Sequence, residues 1–289
     1  MKTSKTSFAA WIAWILSVAA LLLVGCSRKN AHDTGGSPSA TVKGPEGKLH
    51  VDDGGNGGLP VVFVHAFAGS SAQWSAQLAH LRVTRRAVAL DLRGHGQSDR
   101  PRSGTYSVPA FAEDISAVVD GVGLKRFVLV GHSMGGSAAI AYAGEHPDRV
   151  ASLVLVGTPG QSSPEQANRI MTSMKTDYEK VSDGYWKTLL TDAQPNVDAE
   201  VRREMKLVSR EDALAMIGAV FEYDPLPALS VYLGSKLLID TPHGQGPSSL
   251  HTQAPQIPQR VITGTSHWPH MDRPDEFNRI LDEFLANAS

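Results

Sequence analysis

From Leu49 onward, short and nearly charge-free runs of β-branched and aliphatic residues alternate with amphipathic stretches, and this alternation limits what the chain can fold into. The runs are Val61-Val62-Phe63-Val64, Ala87-Val88-Ala89-Leu90, Phe127-Val128-Leu129-Val130, Leu153-Val154-Leu155-Val156, Leu237-Leu238-Ile239 and Val261-Ile262-Thr263. Apolar runs this short read as strands buried on both faces, and such strands need helices above and below the sheet. Between them Phe111, Ile115, Val118, Val119 and Val122 repeat at helical spacing, as do Phe277, Ile280, Leu281, Phe284 and Leu285, so both stretches read as surface helices. The expected class is α/β, a mainly parallel central sheet flanked by helices. With 289 residues, 42% of them hydrophobic, the chain can bury one large core.

Residues 161 to about 223 break the rhythm. They are mostly helical in character and separate two strands that need only a short crossover, so they read as a helical cap over the active-site end of the sheet. Met171, Met174, Tyr178, Tyr185, Trp186, Met205, Met216 and Phe221 are candidates to line an apolar pocket there, most of them as ordinary packing within the cap.

The N-terminus carries a different signal. Lys2 and Lys5 precede an apolar stretch from Phe8 to Val24, the order of an export signal or of an uncleaved membrane anchor. Leu23-Val24-Gly25-Cys26 resembles a bacterial lipobox, which implies a signal peptide over residues 1–25 and a lipid on Cys26, the chain's one cysteine. A single thiol in an exported chain has no internal disulfide partner, whereas a lipid-bearing cysteine has a use. Residues 26–47, rich in Gly, Ser, Pro and charge, read as a flexible tether between membrane and domain. Ser27 after the cysteine is similar to the outer-membrane sorting pattern of bacteria with two membranes. The folded domain is then expected over 48–289.

Directly after the run ending at Val130 comes Gly131-His132-Ser133-Met134-Gly135-Gly136, followed by the small-residue stretch Ser137-Ala138-Ala139. Strand, sharp turn and helix in that order are what a nucleophile elbow requires: a strained serine lifts its hydroxyl above the sheet, and only small residues fit two positions to either side. The helix N-terminus beneath points N–H groups at a developing oxyanion, so the Met134 amide is the first candidate donor.

With these landmarks the chain resembles the α/β-hydrolase superfamily, in its serine esterase-like branch, from Leu49 to the C-terminus. His65-Ala66-Phe67 stands where the family carries His-Gly-x, which implies the Phe67 amide as second oxyanion donor. If position 66 needs a positive φ, alanine costs on the order of 1 kcal/mol there relative to glycine. Asp91-Leu92-Arg93-Gly94-His95-Gly96-Gln97-Ser98 is similar to a structural turn of the family and receives no catalytic role. The resemblance also implies His267 as general base, three residues after Gly264 and seven before Pro274, in preference to His270, which reads as a pocket or surface residue. A neutral imidazole is the chemically suited partner for a serine hydroxyl. His65 and His132 read as hydrogen-bonded structural groups beside the site.

The family's order of Ser, then acid, then His leaves the acid open. Its usual slot falls near Gly244, and Asp240, at the end of the preceding strand, is the candidate; Glu222, Asp224 and Asp272 compete, Asp272 reading rather as a helix-start residue. A Ser-His dyad is the remaining alternative. Gly157-Thr158-Pro159 removes the other acid position that some relatives use.

The activity implied is hydrolysis of a carboxylic ester or related acyl substrate; C–C bond hydrolysis, lactone opening, perhydrolysis, or a non-catalytic binding role on the same scaffold share these residues. No cofactor or metal is expected, since no two of the eleven histidines sit at i, i+4 with a glutamate between. A formal net charge of −2 without long basic runs argues against nucleic acid. The expected partners are a small acyl substrate and, through Cys26, a membrane; the oligomeric state stays open.

Overall fold

The computed structural model describes residues 39–244 and 246–287. The expected signal peptide, Cys26 and the first part of the tether lie outside the described residues. Strands β1 (Ser39–Lys43) and β2 (Lys48–Gly54) form an antiparallel hairpin. Then come β3 (Val61–Val64), α1 (Ser75–Leu81), β4 (Ala87–Leu90), α2 (Val108–Gly121), β5 (Phe127–His132), α3 (Met134–Glu145) and β6 (Val150–Val156). Helices α4 (Pro164–Thr176), α5 (Tyr178–Leu189), α6 (Pro195–Met205) and α7 (Arg210–Glu222) fill the stretch before α8 (Leu226–Val231) and β7 (Ser235–Asp240). The chain ends with α9 (Leu250–Gln253), β8 (Gln259–Val261), α10 (Pro269–Asp272) and α11 (Pro274–Leu285).

The sheet order is β1-β2-β4-β3-β5-β6-β7-β8, with β3 to β8 parallel and β2 antiparallel to β4. The chain winds outward from β3 to β4 and then returns to lay β5 on the other side of β3. The loops leaving β3 and β5 therefore diverge at a switch in winding direction, the place where open α/β sheets form clefts. Phe67 and Ser133 sit on those two loops.

Period-two alternation sorts the strand residues onto two faces. Val62, Val64, Val88, Leu90, Leu129 and Leu153 pack with Phe111, Ile115, Val118 and Val119 of α2 and with the alanines of α3. Val61, Phe63, Ala89, Val128, Val130 and Val154 pack with Leu78 and Leu81 of α1 and with Phe277, Ile280 and Leu281 of α11. Buried strands covered on both faces explain why these segments read as unbroken apolar runs rather than alternating ones. A third cluster joins Trp186 of α5, Leu190 just after it, and Val197 and Val201 of α6 to Trp268 and Ala68.

Two boundaries differ from the sequence reading. Residues 39–43, assigned there to the tether, join the sheet edge, pairing Thr41 with His50 and Val42 with Leu49. This strand is held by backbone pairing and by one apolar side chain, Val42, which packs close over Gly121, so composition hides it. Strand β8 runs over Gln259–Val261 rather than 261–263, because its register is set by pairing with Leu238–Asp240 at a sheet edge, where Val261 is exposed and Ile262 turns inward.

Candidate active site

One residue, Ser133, separates β5 from α3, and its backbone has φ 52° and ψ −116°. Left-handed φ costs a non-glycine residue roughly 1–2 kcal/mol, so the surroundings must enforce it. They do so through Ser133 N, which donates to Val156 O at 2.8 Å, and Ser133 O, which accepts from Gly136 N at 2.9 Å and Ser137 N at 3.1 Å. A Cβ on Gly131 would lie 2.4 Å from Gly135 O, and one on Gly135 would lie 2.3 Å from His65 O. Only glycine fits either place. Met134 opens α3, so its N–H has no acceptor within the helix.

The second loop is pinned by His65. Its Nδ1–H donates to Ala66 O at 2.7 Å while Leu92 N donates to its Nε2 at 3.0 Å, which fixes one neutral tautomer. Burial lowers its pKa to about 4. The strain expected at Ala66 falls elsewhere: Ala66 lacks a positive φ, and Ala68 carries one of 54°. Gly69 N closes the turn onto Ala66 O at 3.1 Å, so the left-handed residue is the one before Gly69 rather than the one after His65. Asp91, without a place at the site, knits its own turn by accepting from Ser71 N at 2.6 Å and Gln97 N at 2.8 Å.

His267 lies between β8 and α10, and its backbone is clamped from two sides. Its N–H donates to Leu189 O, at the end of α5, at 2.9 Å, and its carbonyl accepts from His132 Nε2 at 2.8 Å. Beside it, Asp272 accepts from Ser266 N at 2.8 Å, Ser266 Oγ at 2.6 Å and Gln194 N at 2.7 Å, fastening the loop to the cap. The imidazole lies over Gly157, whose φ is 50°; a Cβ there would be 2.8 Å from Cε1 and 3.1 Å from Nδ1 of the ring. Burial lowers the His267 pKa to about 4, so the ring is neutral at pH 7.

The expected acid is not on the imidazole. The Asp240 carboxylate accepts from Gln259 Nε2 at 2.8 Å, burial raises its pKa, and no hydrogen bond joins it to His267 among the described residues. As the last residue of β7 it is locked in the sheet, its carbonyl taking the Ile262 N–H at 2.9 Å, and residues 242–244 turn tightly after it instead of folding back. Glu222 and Asp224 do not reach the ring either; Asp224 accepts from Leu226 N at 3.0 Å. Asp272 ends α10 rather than starting α11 and serves the loop contacts just described. His270, expected at the pocket or surface, is fully buried and stacks on Trp74 at 4.1 Å between centroids, because the short α10 turns it under the sheet's end. Gly157, Leu189, Gln194 and the clamp by His132 were not legible as site features beforehand; the single signal was the glycine after β6.

Ser133, Met134, Phe67 and His267 line one cavity of about 170 Å3, closed by Tyr185, Leu189, Ile217, Val220 and Phe221 from the cap. Of the eight cap residues considered beforehand, Tyr185 and Phe221 reach it, while Trp186 backs it by stacking on Phe67 at 5.8 Å. A larger chamber of about 550 Å3 adjoins it, sharing Gly157, Pro159, Leu189, Phe221 and His267 as walls. A hydroxyl on a strained turn, a neutral imidazole and two backbone amides that donate to no acceptor among the described residues line one mostly apolar cavity, a set that suits nucleophilic attack on a carbonyl.

The family model described as alpha/beta hydrolase fold matches residues 60–207. The chain is 28% identical over 261 residues to 2-hydroxymuconate semialdehyde hydrolase of Pseudomonas putida, covering 83% of this chain and 92% of that protein. Among solved structures, a thermophilic esterase from Thermogutta terrifontis superposes with a TM-score of 0.74 at 25% identity, covering 86% of this chain and 98% of the esterase. The enol-lactonase from Burkholderia xenovorans gives the same TM-score at 24% identity, over 86% of this chain and all of the other. The chain belongs to the α/β-hydrolase fold family and is an enzyme of the hydrolase class.

Proposed function

We propose that the chain hydrolyses carboxylic esters or related acyl substrates through a covalent acyl-enzyme on Ser133. The observation that carries this reading is the left-handed Ser133, at φ 52°, on a cavity wall shared with Met134, Phe67 and His267. Ser133 Oγ attacks the carbonyl carbon as its proton passes to His267, and the amides of Met134 and Phe67 hold the oxyanion. Collapse breaks the carbon–oxygen bond, and the proton on His267 goes to the departing alkoxide. Water then attacks the acyl-enzyme, losing its proton to His267, and collapse releases the acid and restores Ser133. Among the described residues no hydrogen bond joins the Ser133 hydroxyl to the His267 imidazole; such contacts commonly tighten only in the substrate complex.

Fluorophosphonate labelling tests the reading. The expected result is stoichiometric labelling at neutral pH that disappears in Ser133→Ala, with ester turnover lost in both Ser133→Ala and His267→Ala. A folded protein left unlabelled would overturn it in favour of a binding role. The same groups serve C–C bond hydrolysis; turnover of a β-diketone exceeding that of every ester would select this second reading.

We further propose that the enzyme is exported and held at the cell envelope by lipid on Cys26. The support is the order Lys2, Lys5, the apolar stretch Phe8 to Val24 and Leu23-Val24-Gly25-Cys26. Each buried methylene of an acyl chain adds about 0.8 kcal/mol, so two or more chains hold a protein firmly. Cys26→Ala is expected to move the protein from the membrane to the soluble fraction; unchanged membrane retention and electrophoretic mobility would refute the lipid.

A further inference from the structure

The two adjoining cavities differ in size and in chemistry, and His267 stands at their junction. Ser133, Met134 and Phe67 line the inner cavity alone, together with aliphatic and aromatic cap residues. The outer chamber lacks all three and, on walls that stay mostly apolar, adds polar side chains, among them Ser162, Gln166, His243 and Ser249. In acyl-enzyme chemistry the base must hand its proton to the departing oxygen, so the leaving group lies on the base's side, while the acyl carbon stays with nucleophile and oxyanion donors. That requirement assigns the inner cavity to the acyl part and the outer chamber to the alcohol part.

Size and charge narrow each half. The inner cavity, about 170 Å3, is close to the engineered apolar cavity of roughly 150 Å3 that holds one benzene molecule. Phe67, Tyr185 and Phe221 supply flat walls, and among the described residues no Asp, Glu, Lys or Arg lines it. The outer chamber is about three times larger. Among the described residues no lysine or arginine lines it. Its ionisable groups are Asp240, His267 and His243, the last paired with Asp192 at 2.9 Å. An anionic alcohol meets no counter-charge there and faces a buried carboxyl, whereas a neutral alcohol with several hydroxyls meets Ser162, Gln166 and Ser249.

We propose that the preferred substrates are esters of a small apolar acyl group, no larger than hexanoyl or a single phenyl ring, with a larger, neutral, hydroxyl-bearing alcohol. This rests on the acyl-enzyme reading above. Ile217, Val220 and Phe221, on one helix of the cap, set the acyl limit; Gln166 faces the alcohol.

Two matched series of substrates on the purified chain test the proposal. With p-nitrophenyl as constant leaving group, kcat/KM should peak between butyrate and hexanoate, with phenylacetate comparable, and fall by about ten-fold or more at decanoate, the scale on which a hydrophobic pocket discriminates by size. With butyryl as constant acyl group, 1-butyryl-glycerol should exceed 1-butyryl-glycerol 3-phosphate by about ten-fold or more, since the phosphate finds no counter-charge. Val220→Ala should move the acyl optimum to longer chains and leave the glycerol to glycerol-phosphate ratio unchanged; Gln166→Lys should narrow that ratio and leave the acyl profile unchanged. A level profile to dodecanoate, or equal use of the two glycerol esters, overturns the assignment while fluorophosphonate labelling of Ser133 leaves the acyl-enzyme reading standing. If Ser133 stays unlabelled and no ester is turned over, both fall together.

Discussion

His132 Nε2 donates to the carbonyl oxygen of His267 at 2.8 Å, so the residue immediately before Ser133 holds the loop that carries His267. The two rings stand 4.8 Å apart. His132 is completely buried, and desolvation keeps its pKa well below the ordinary value, so its single ring proton is the one on Nε2. With Leu189 O taking the His267 N–H, His267 is positioned through its backbone, and no carboxylate grips its ring among the described residues.

Removing the clamp should therefore act on catalysis without touching substrate. His132→Leu is expected to lower kcat by about ten- to a hundred-fold, the cost of small misplacements, with KM little changed. His132→Gln, whose side-chain amide can donate to the same carbonyl, should recover much of the loss. Steady-state kinetics on both variants make the check; equal loss in both would reduce His132 to a packing residue.

Gly157 sets the other side of the base. A methyl there needs the imidazole to move, since it would sit 2.8 Å from Cε1, and φ of 50° adds about 1 kcal/mol of backbone strain. Gly157→Ala should cost on the order of a hundred-fold in kcat/KM. The fluorophosphonate rate should fall in parallel, with the near-ultraviolet circular dichroism retained.

Asp240→Asn separates a dyad from a triad. Where an aspartate orients the base, the amide substitution costs on the order of ten-thousand-fold in kcat. Here the carboxyl is bound by Gln259, so a loss below about five-fold is expected. The acid limb of kcat/KM carries the same information. As the base of the proposed mechanism His267 would work only when neutral, so activity should rise with pH through its pKa, and burial without a carboxylate partner puts that limb below 6.5, toward about 4. A limb at or above 6.5 would mean that an acid engages the ring.

The parts legible in the sequence are those set by local geometry. The turn at Ser133 demands glycine on both sides, and the strands feeding it are buried on two faces, so Gly131, Gly135 and the apolar runs announce themselves. His267 was legible through its place between a strand and a helix. The acid was not, because the Asp240 carboxylate at the strand end is taken by Gln259, a pairing across two strands that leaves no local mark. The clamp between His132 and His267 spans 135 positions and leaves no local mark. Strained Ala68 rather than Ala66 follows from where Gly69 closes its turn, which neither residue type reveals.

Four histidines make the fold sensitive to acid. His65, His95, His132 and His270 are at most 3% exposed, and burial lowers their pKa values, to about 4 for His65 and about 3 for His95 and His270. Unfolded, each titrates near 6.5, so below that pH the unfolded chain binds protons that the folded chain refuses. Their contribution is whole above pH 6.5 and is lost as pH falls toward 4, at up to about 1.4 kcal/mol per pH unit for each group. His270 isolates the effect, since neither ring nitrogen has a hydrogen-bond partner among the described residues and the ring packs against Trp74 and Phe277. His270→Phe removes one titration and two unpartnered nitrogens from the core, so its stability relative to the parent should improve by about 2 kcal/mol between pH 7 and pH 5. Urea unfolding at those two pH values measures it, and parallel pH dependence in parent and variant would show that His270 takes up its proton in the folded state.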